Sequence, residues 1–403
     1  MQSPIQRDRE DDSQRHRGIS SGVLLTVVAW FVSRLVVGAA WGAARDPFAF
    51  DSRLWTHKDS HNYLRIAVQG RTFGRCGTPG FGEDVITRYY HLHWCGLAQW
   101  LPAYPYMIRA VNTTGISRPS AGVLISWLAL AAAMFLIWLG WGRDLPLGRA
   151  LIVLIFFGVF PGAVYNVAVY PTSVAIACVV GALLCATRER FFAAALLMIA
   201  AGLCYPSAWP AALGLAIGLA VVALPLGSAT VFRRSLWGLV GLGSLLILGI
   251  HDQVAFGHYD AYFLMTTQAV PPPLLAARLF FTQLFTLAAT GQPLLGRFSS
   301  GVLSFQSIIA LLLTGAAVVV TGATWRRKGL NPAQLYPALV GMTVAGALIF
   351  ASSGGAWNRS IVLAAPCVVC FRRAPLPILC VVVAVVATTS ALIARPFFGS
   401  VLI

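Results

Sequence analysis

Asp59 stands in the stretch HKDSHNYLRIAVQG (residues 57–70), beside Lys58 and between His57 and His61. A carboxylate set among cations and imidazoles can accept a proton from a hydroxyl while a neighbouring anion is held in place. The run that follows pairs Tyr63 with Ala67 and Leu64 with Val68 at i,i+4 spacing, which predicts a short amphipathic helix on a membrane surface. Asp59 heads that helix, where a carboxylate also serves as an N-cap worth about 1 kcal/mol. The two roles are compatible. A second stretch, WLPAYPYMIR (100–109), has two prolines three residues apart and ends in Arg109. A guanidinium there has the fork geometry for a lipid phosphate, with simple snorkelling to the surface as the plainer reading. Tyr63 and Tyr104 are candidates for substrate contact or for packing.

The elements that carry these residues follow from composition. Of 403 residues, 58% are hydrophobic and only 10% charged, against roughly 25% charged in soluble domains. The chain reads as an all-α polytopic membrane protein. Eleven apolar segments are expected to span: 22–43, 121–141, 149–165, 168–186, 191–206, 208–226, 235–251, 301–323, 334–352, 358–371 and 376–394. With the N-terminus cytoplasmic, the basic clusters at 143–149, 188–190, 233–234, 326–328 and 372–373 all fall inside if 275–290 is re-entrant or surface-lying rather than spanning. The net charge of +16 is then a topology signal, and no nucleic-acid partner is implied. Residues 1–18 read as a disordered cytoplasmic tail and 19–403 as one membrane domain.

That topology leaves residues 44–118 as a large first extracytoplasmic loop, far longer than an ordinary connection and expected to be folded. Of the 13 acidic residues, four lie in the tail and five in this loop. The rest, Asp144, Glu189, Asp252 and Asp260, are expected in loops, so no acid is placed in a span. This weighs against a proton- or ion-coupled transporter. Cys76 and Cys95 share the loop, where an oxidising compartment permits a disulfide. Glu83, Asp84, His91 and His93 are read as solvated loop residues, and no metal site is expected.

Five stretches, in order, resemble the PIG-V-like mannosyltransferases of the GT-C class of integral-membrane glycosyltransferases. They are Asp59-Ser-His-Asn-Tyr63-Leu-Arg-Ile-Ala67, Trp100-Leu-Pro102-Ala-Tyr104-Pro105 with Arg109, Tyr170-Pro171-Thr172-Ser173, Phe256-Gly257 through Phe263 with Gln268, and Trp357-Asn-Arg359 with Pro366. Three positions depart from the family pattern: Lys58 for a tryptophan, Thr172 for an acid and Tyr205 for an arginine. The resemblance implies a GT-C-like bundle of about 11 (10–13) transmembrane helices. It implies transfer of mannose, with inversion, from polyprenyl-phosphate-mannose to an extracytoplasmic hydroxyl, with Asp59 as general base. Lys58, Arg109, Arg359 and Arg278 are then candidates to hold the donor phosphate. His57, His61, Tyr63, Tyr104 and Gln268 are candidates to contact substrate. No cofactor is expected, because a monophosphate leaving group does not require a divalent metal.

The partners implied are membrane lipid, the lipid-linked donor and a glycolipid, glycan or protein acceptor, at the plasma membrane. Two other readings stay open. One is a transporter or flippase of a lipid-linked sugar. The other is a non-catalytic member of a cell-envelope glycan assembly complex.

Overall fold

The computed structural model describes residues 4–39, 52–57, 59–81, 92–268, 275, 278, 298–351 and 357–398. Its first helix, α1 (Pro4–Ala39), includes the polar tail expected to be disordered. Only Gly18–Gly38 of it is long and apolar enough to cross a membrane. Once an apolar helix is nucleated, each further residue adds one hydrogen bond at little extra cost, so the helix extends into the tail.

The loop region follows, with α2 (Asp59–Gln69), β1 (Phe73–Arg75), β2 (Trp94–Gly96) and α3 (Ala103–Asn112). Then come α4 (Arg118–Ile137), α5 (Leu147–Gly158), α6 (Thr172–Thr187), α7 (Phe191–Cys204) and α8 (Ala208–Ala223). Next are α9 (Ser228–Val240), α10 (Gly243–Phe256) and α11 (Ala261–Thr267). The chain continues as α12 (Phe298–Lys328), α13 (Pro332–Ala351), α14 (Trp357–Ser360) and α15 (Leu376–Phe398). Punctuation explains several ends. Ser117 caps α4 by accepting from the Ser120 N–H, with Pro119 in the first turn. At the other end of α10, Gly257 takes the left-handed conformation that closes a helix.

Six helices among the described residues are long and apolar enough to span: Gly18–Gly38, Arg118–Gly142, Ala208–Leu226, Ser228–Phe256, Ile308–Lys328 and Pro332–Phe350. The other expected spans are shorter apolar helices. Residues 358–371 differ most from expectation. There α14 gives way to a 3₁₀ segment, Ile361–Phe371, whose first ten residues are all buried. Pro366 within it cannot donate a helical backbone bond, and such a segment persists only under dense packing. It lies against α12, α13, α6 and α5, in the interior of the bundle. Most of 275–290 lies outside the described residues.

The loop carries its own small architecture. β1 and β2 pair antiparallel, with Phe73 opposite Gly96, Gly74 opposite Cys95 and Arg75 opposite Trp94. A disulfide joins Cys76 to Cys95. Gly96 has a positive φ, and a Cβ there would meet the Thr72 carbonyl oxygen, so glycine is required at that turn. Two small apolar clusters seat the loop on the bundle. One gathers Ala98, Ala261 and Met265, and the other Leu101, Leu248 and Tyr262.

Candidate active site

Asp59 is the first residue of α2, so its carboxylate sits at the positive end of the helix dipole. Its Oδ2 accepts a hydrogen bond from Arg359 Nη1, across 300 residues of sequence. Both side chains keep a share of their surface open, 21% for Asp59 and 29% for Arg359. The candidate base and one of the phosphate-binding candidates are therefore brought together as an ion pair at a partly open position.

The floor beneath α2 is aromatic. The Tyr63 ring meets Tyr104 edge-on at 5.7 Å and Tyr170 at 6.0 Å. Tyr170 also packs against Tyr165 and donates to the His57 carbonyl at 3.3 Å. Tyr104 is wholly buried, with its hydroxyl bonded to the Gly122 carbonyl and to Ser126 Oγ, both at 2.9 Å. Burial, and next the neighbouring phenols, push the Tyr63 hydroxyl well above its ordinary pKa, so it stays protonated. Of the two readings for Tyr63 and Tyr104, the packing supports the structural one. Behind Arg359, the Tyr205 hydroxyl lies 3.1 Å from Ser360 Oγ. Thr172 turns its hydroxyl to the Tyr165 carbonyl at 2.6 Å, at the start of α6. Two departures from the family pattern, Thr172 and Tyr205, thus close local bonds in the same wall.

The histidines divide. His57 has Nε2 3.1 Å from the Leu54 carbonyl oxygen and its ring against Phe397. The Ser60 N–H donates to the His57 carbonyl, which ties the residue to the start of α2. His61 is exposed on α2.

The packing gives Arg109 and Gln268 protein partners, and it corrects the placement of Asp252. Arg109 does not extend its fork toward a phosphate. Its Nε donates to the Ala67 carbonyl at 2.8 Å and Nη2 to that of Ile66 at 3.2 Å. It caps the C-terminus of α2, where α3 packs against α2 and brings the cation onto carbonyls of its last turn. Gln268 bonds the hairpin. Its Oε1 accepts from the N–H groups of His93 and Trp94, and its Nε2 donates to the Trp94 carbonyl at 2.6 Å. Asp252 is not in a loop. It lies in α10, fully buried, inside the Ser228–Phe256 candidate span.

Asp252 anchors a network that sequence reasoning did not foresee. Its Oδ1 accepts from Arg71 Nη1, and Oδ2 accepts from the Tyr262 N–H at 3.2 Å. Arg71 Nη2 donates to the Ala98 carbonyl. His251 Nδ1 lies 3.1 Å from both Asp252 Oδ1 and Arg71 Nη1, and its Nε2 is 2.9 Å from the Tyr106 hydroxyl. This bolts the loop to α10 and α11. Arg34 was also missed. It is buried in α1 with its guanidinium 3.4 Å from the Trp127 ring centroid, 4.9 Å from that of Trp55 and 5.2 Å from that of Trp30. The signal was present in the sequence: an arginine inside an apolar window is rare and is retained for a reason. Here it orders Trp55, four residues before Asp59.

Lys58, Glu83, Asp84 and His91 lie outside the described residues. Arg278 is helical and exposed, with its immediate neighbours outside the description. Among the described residues, no group of three or more His, Cys, Asp or Glu is placed to hold a metal ion.

No protein-family model matches the chain, and no curated protein matches it. Among solved structures, it is similar to the apo oligosaccharyltransferase of Archaeoglobus fulgidus, at a TM-score of 0.48 and 13% sequence identity. That similarity covers 94% of this chain and 56% of the other, so the chain spans just over half the length of that protein. A likeness this slight carries no argument about fold or activity.

Proposed function

We propose that the chain is an integral-membrane glycosyltransferase of the GT-C type. In this reading it moves a mannosyl residue from polyprenyl-phosphate-mannose to a hydroxyl acceptor on the extracytoplasmic face. The observation that carries the reading is the partly open Asp59–Arg359 pair. A carboxylate suited to accept a proton and a guanidinium suited to receive a phosphate meet at one place.

The chemistry balances without a further reactant. The acceptor oxygen attacks the anomeric carbon from the face opposite the phosphate, and its proton passes to Asp59. The bond from the anomeric carbon to the phosphate oxygen breaks, and the electron pair leaves with polyprenyl phosphate. The configuration inverts in a single displacement. Arg359 stabilises the charge that builds on the departing phosphate. Lys58 and Arg278 are the further cations assigned to that phosphate in this reading.

From the sequence alone no acid is placed in a span, which weighs against the transporter reading. Asp252 does lie in a span-length helix, yet it is committed to Arg71 and a backbone N–H, which suits an anchor better than a relay. The glycosyltransferase reading therefore stands ahead of it.

The test is mannose transfer from polyprenyl-phosphate-mannose by purified wild type and by Asp59→Asn, with melting measured on both. A rate lower by about 10²–10⁴ with melting unchanged supports Asp59 as general base. Full transfer by Asp59→Asn removes it from that role. No transfer by wild type, over a range of acceptors, rejects the glycosyltransferase reading.

A further inference from the structure

The Asp59–Arg359 contact poses a difficulty for the reading above, on which this inference rests. A base must offer a lone pair to the acceptor hydroxyl, and a phosphate-binding arginine must offer its N–H groups to the donor. In this structure each is engaged with the other. A carboxylate held by a cation is a poorer proton acceptor than a free one. Both groups are nonetheless open enough to exchange partners.

We infer that Arg359 is shared: in the resting protein it holds Asp59, and the phosphate of an incoming polyprenyl-phosphate donor takes it over, releasing Asp59 to act as base. The surroundings favour such an exchange. Arg359 sits on the four-residue helix α14, and the buried 3₁₀ segment that follows fixes its backbone at Ser360, whose Oγ contacts the Tyr205 hydroxyl. Asp59 is fixed from the other side through α2, whose C-terminus Arg109 caps and whose Tyr63 is buried. The donor is a phosphodiester whose two non-bridging oxygens can take a guanidinium bidentately, whereas Asp59 holds Arg359 through one contact, so an arriving donor competes for Arg359. The consequence is an ordered reaction in which the base is unmasked only when a donor is present. Arg359 acts on the donor directly and on Asp59 as a positioning residue.

The swap predicts competition, which binding measures without turnover. Farnesyl phosphate serves as a short polyprenyl phosphate, with farnesol and inorganic phosphate as controls. Its affinity is measured for the full chain in detergent as wild type, Asp59→Asn, Arg359→Gln and the double variant, with melting recorded for each. Removing the carboxylate's charge frees Arg359. Asp59→Asn is therefore expected to bind farnesyl phosphate about threefold to fivefold more tightly than wild type, the factor for losing a competitor worth up to ~1 kcal/mol. Farnesol binding should not change. Arg359→Gln should bind at least about tenfold more weakly, and the double variant should match Arg359→Gln because no competition remains. Arg359→Lys provides a folded check if Arg359→Gln melts early, and it should retain part of the binding. The inference is overturned if Asp59→Asn binds no more tightly than wild type. It is also overturned if the gain persists in the double variant, if farnesol shows the same gain, or if wild type and Asp59→Asn both bind only inorganic phosphate. These outcomes are separate from transfer activity. A wild type that transfers mannose while Asp59→Asn shows no gain rejects the swap alone. A wild type that transfers nothing yet shows the gain rejects the mannosyltransferase reading and keeps the anion exchange.

Discussion

Among the described residues, two ion pairs tie the loop to the helical bundle, and they are built differently. Arg71 and Asp252 are 1% and 0% exposed, and nearly every charged atom of the pair has a further partner: Ala98, Tyr262 and His251. Asp59 and Arg359 are 21% and 29% exposed and meet through one contact. The first arrangement holds two elements at a set distance, because pulling it apart strands charges in a dry interior. The second can trade its partner for a ligand at little cost, since water already reaches it. One pair anchors the fold, and in the proposed function the other takes part in the reaction.

Breaking the anchor should have the largest effect on folding. Asp252→Asn leaves Arg71 buried without its counter-charge and is expected to cost about 3–5 kcal/mol, read as an early melt in detergent. A sharper version replaces both partners with apolar residues, Arg71→Met with Asp252→Leu. That double variant should recover most of the loss, and failure to recover would mean that the hydrogen bonds to Ala98 and Tyr262 matter more than the charges. Next in size is the disulfide. Cys95→Ser opens a 19-residue separation and should cost about 2–4 kcal/mol. Under reducing conditions the wild type should melt with the variant.

Arg109→Met tests the cap on α2. It removes charge-assisted bonds to the Ala67 and Ile66 carbonyls and should cost about 1.5–3 kcal/mol. If Arg109 held the donor phosphate instead, the same variant would lose donor binding with its melting intact. Smallest is Asp59→Asn, whose half-open pair should change stability by less than about 1 kcal/mol. On activity the order reverses, and Asp59→Asn should be the most damaging of the four. A variant series in which stability and activity losses rose together would erase the distinction between the two pairs.

Parts of this were legible in the sequence. Apolar runs near the length of a bilayer identified the helices, because a helix buried in lipid must be apolar along its whole length. Asp59 stood out because its charged neighbours interrupt a greasy chain, and the i,i+4 pairs after it predicted α2. Cys76 and Cys95 shared a loop, and they are joined. Asp252 was misplaced by the smallest of margins: a span ended at 251 on hydropathy, while hydrogen bonding carries α10 on to Phe256. Hydropathy counts an aspartate as a helix end, but a paired aspartate is tolerated inside. Arg34 was passed over for a related reason, since one arginine does not disqualify an apolar window and its tryptophan neighbours come from three separate elements.

The sequence by itself determined a helical chain with helices long and apolar enough to cross a membrane, the short helix α2 and a candidate acid at its head. Those are properties of local composition and spacing, which act within a few turns of helix. Only the tertiary structure decided which cation meets that acid. Arg109 is about 50 residues from Asp59 and turns away to cap α2, while Arg359, 300 residues away, reaches it. Charge alone does not distinguish the two arginines. The docking of α3 on α2, and of the buried 3₁₀ segment among its neighbours, assigns one to the backbone and the other to the carboxylate, because each guanidinium goes to the unpaired acceptors its own backbone brings within reach.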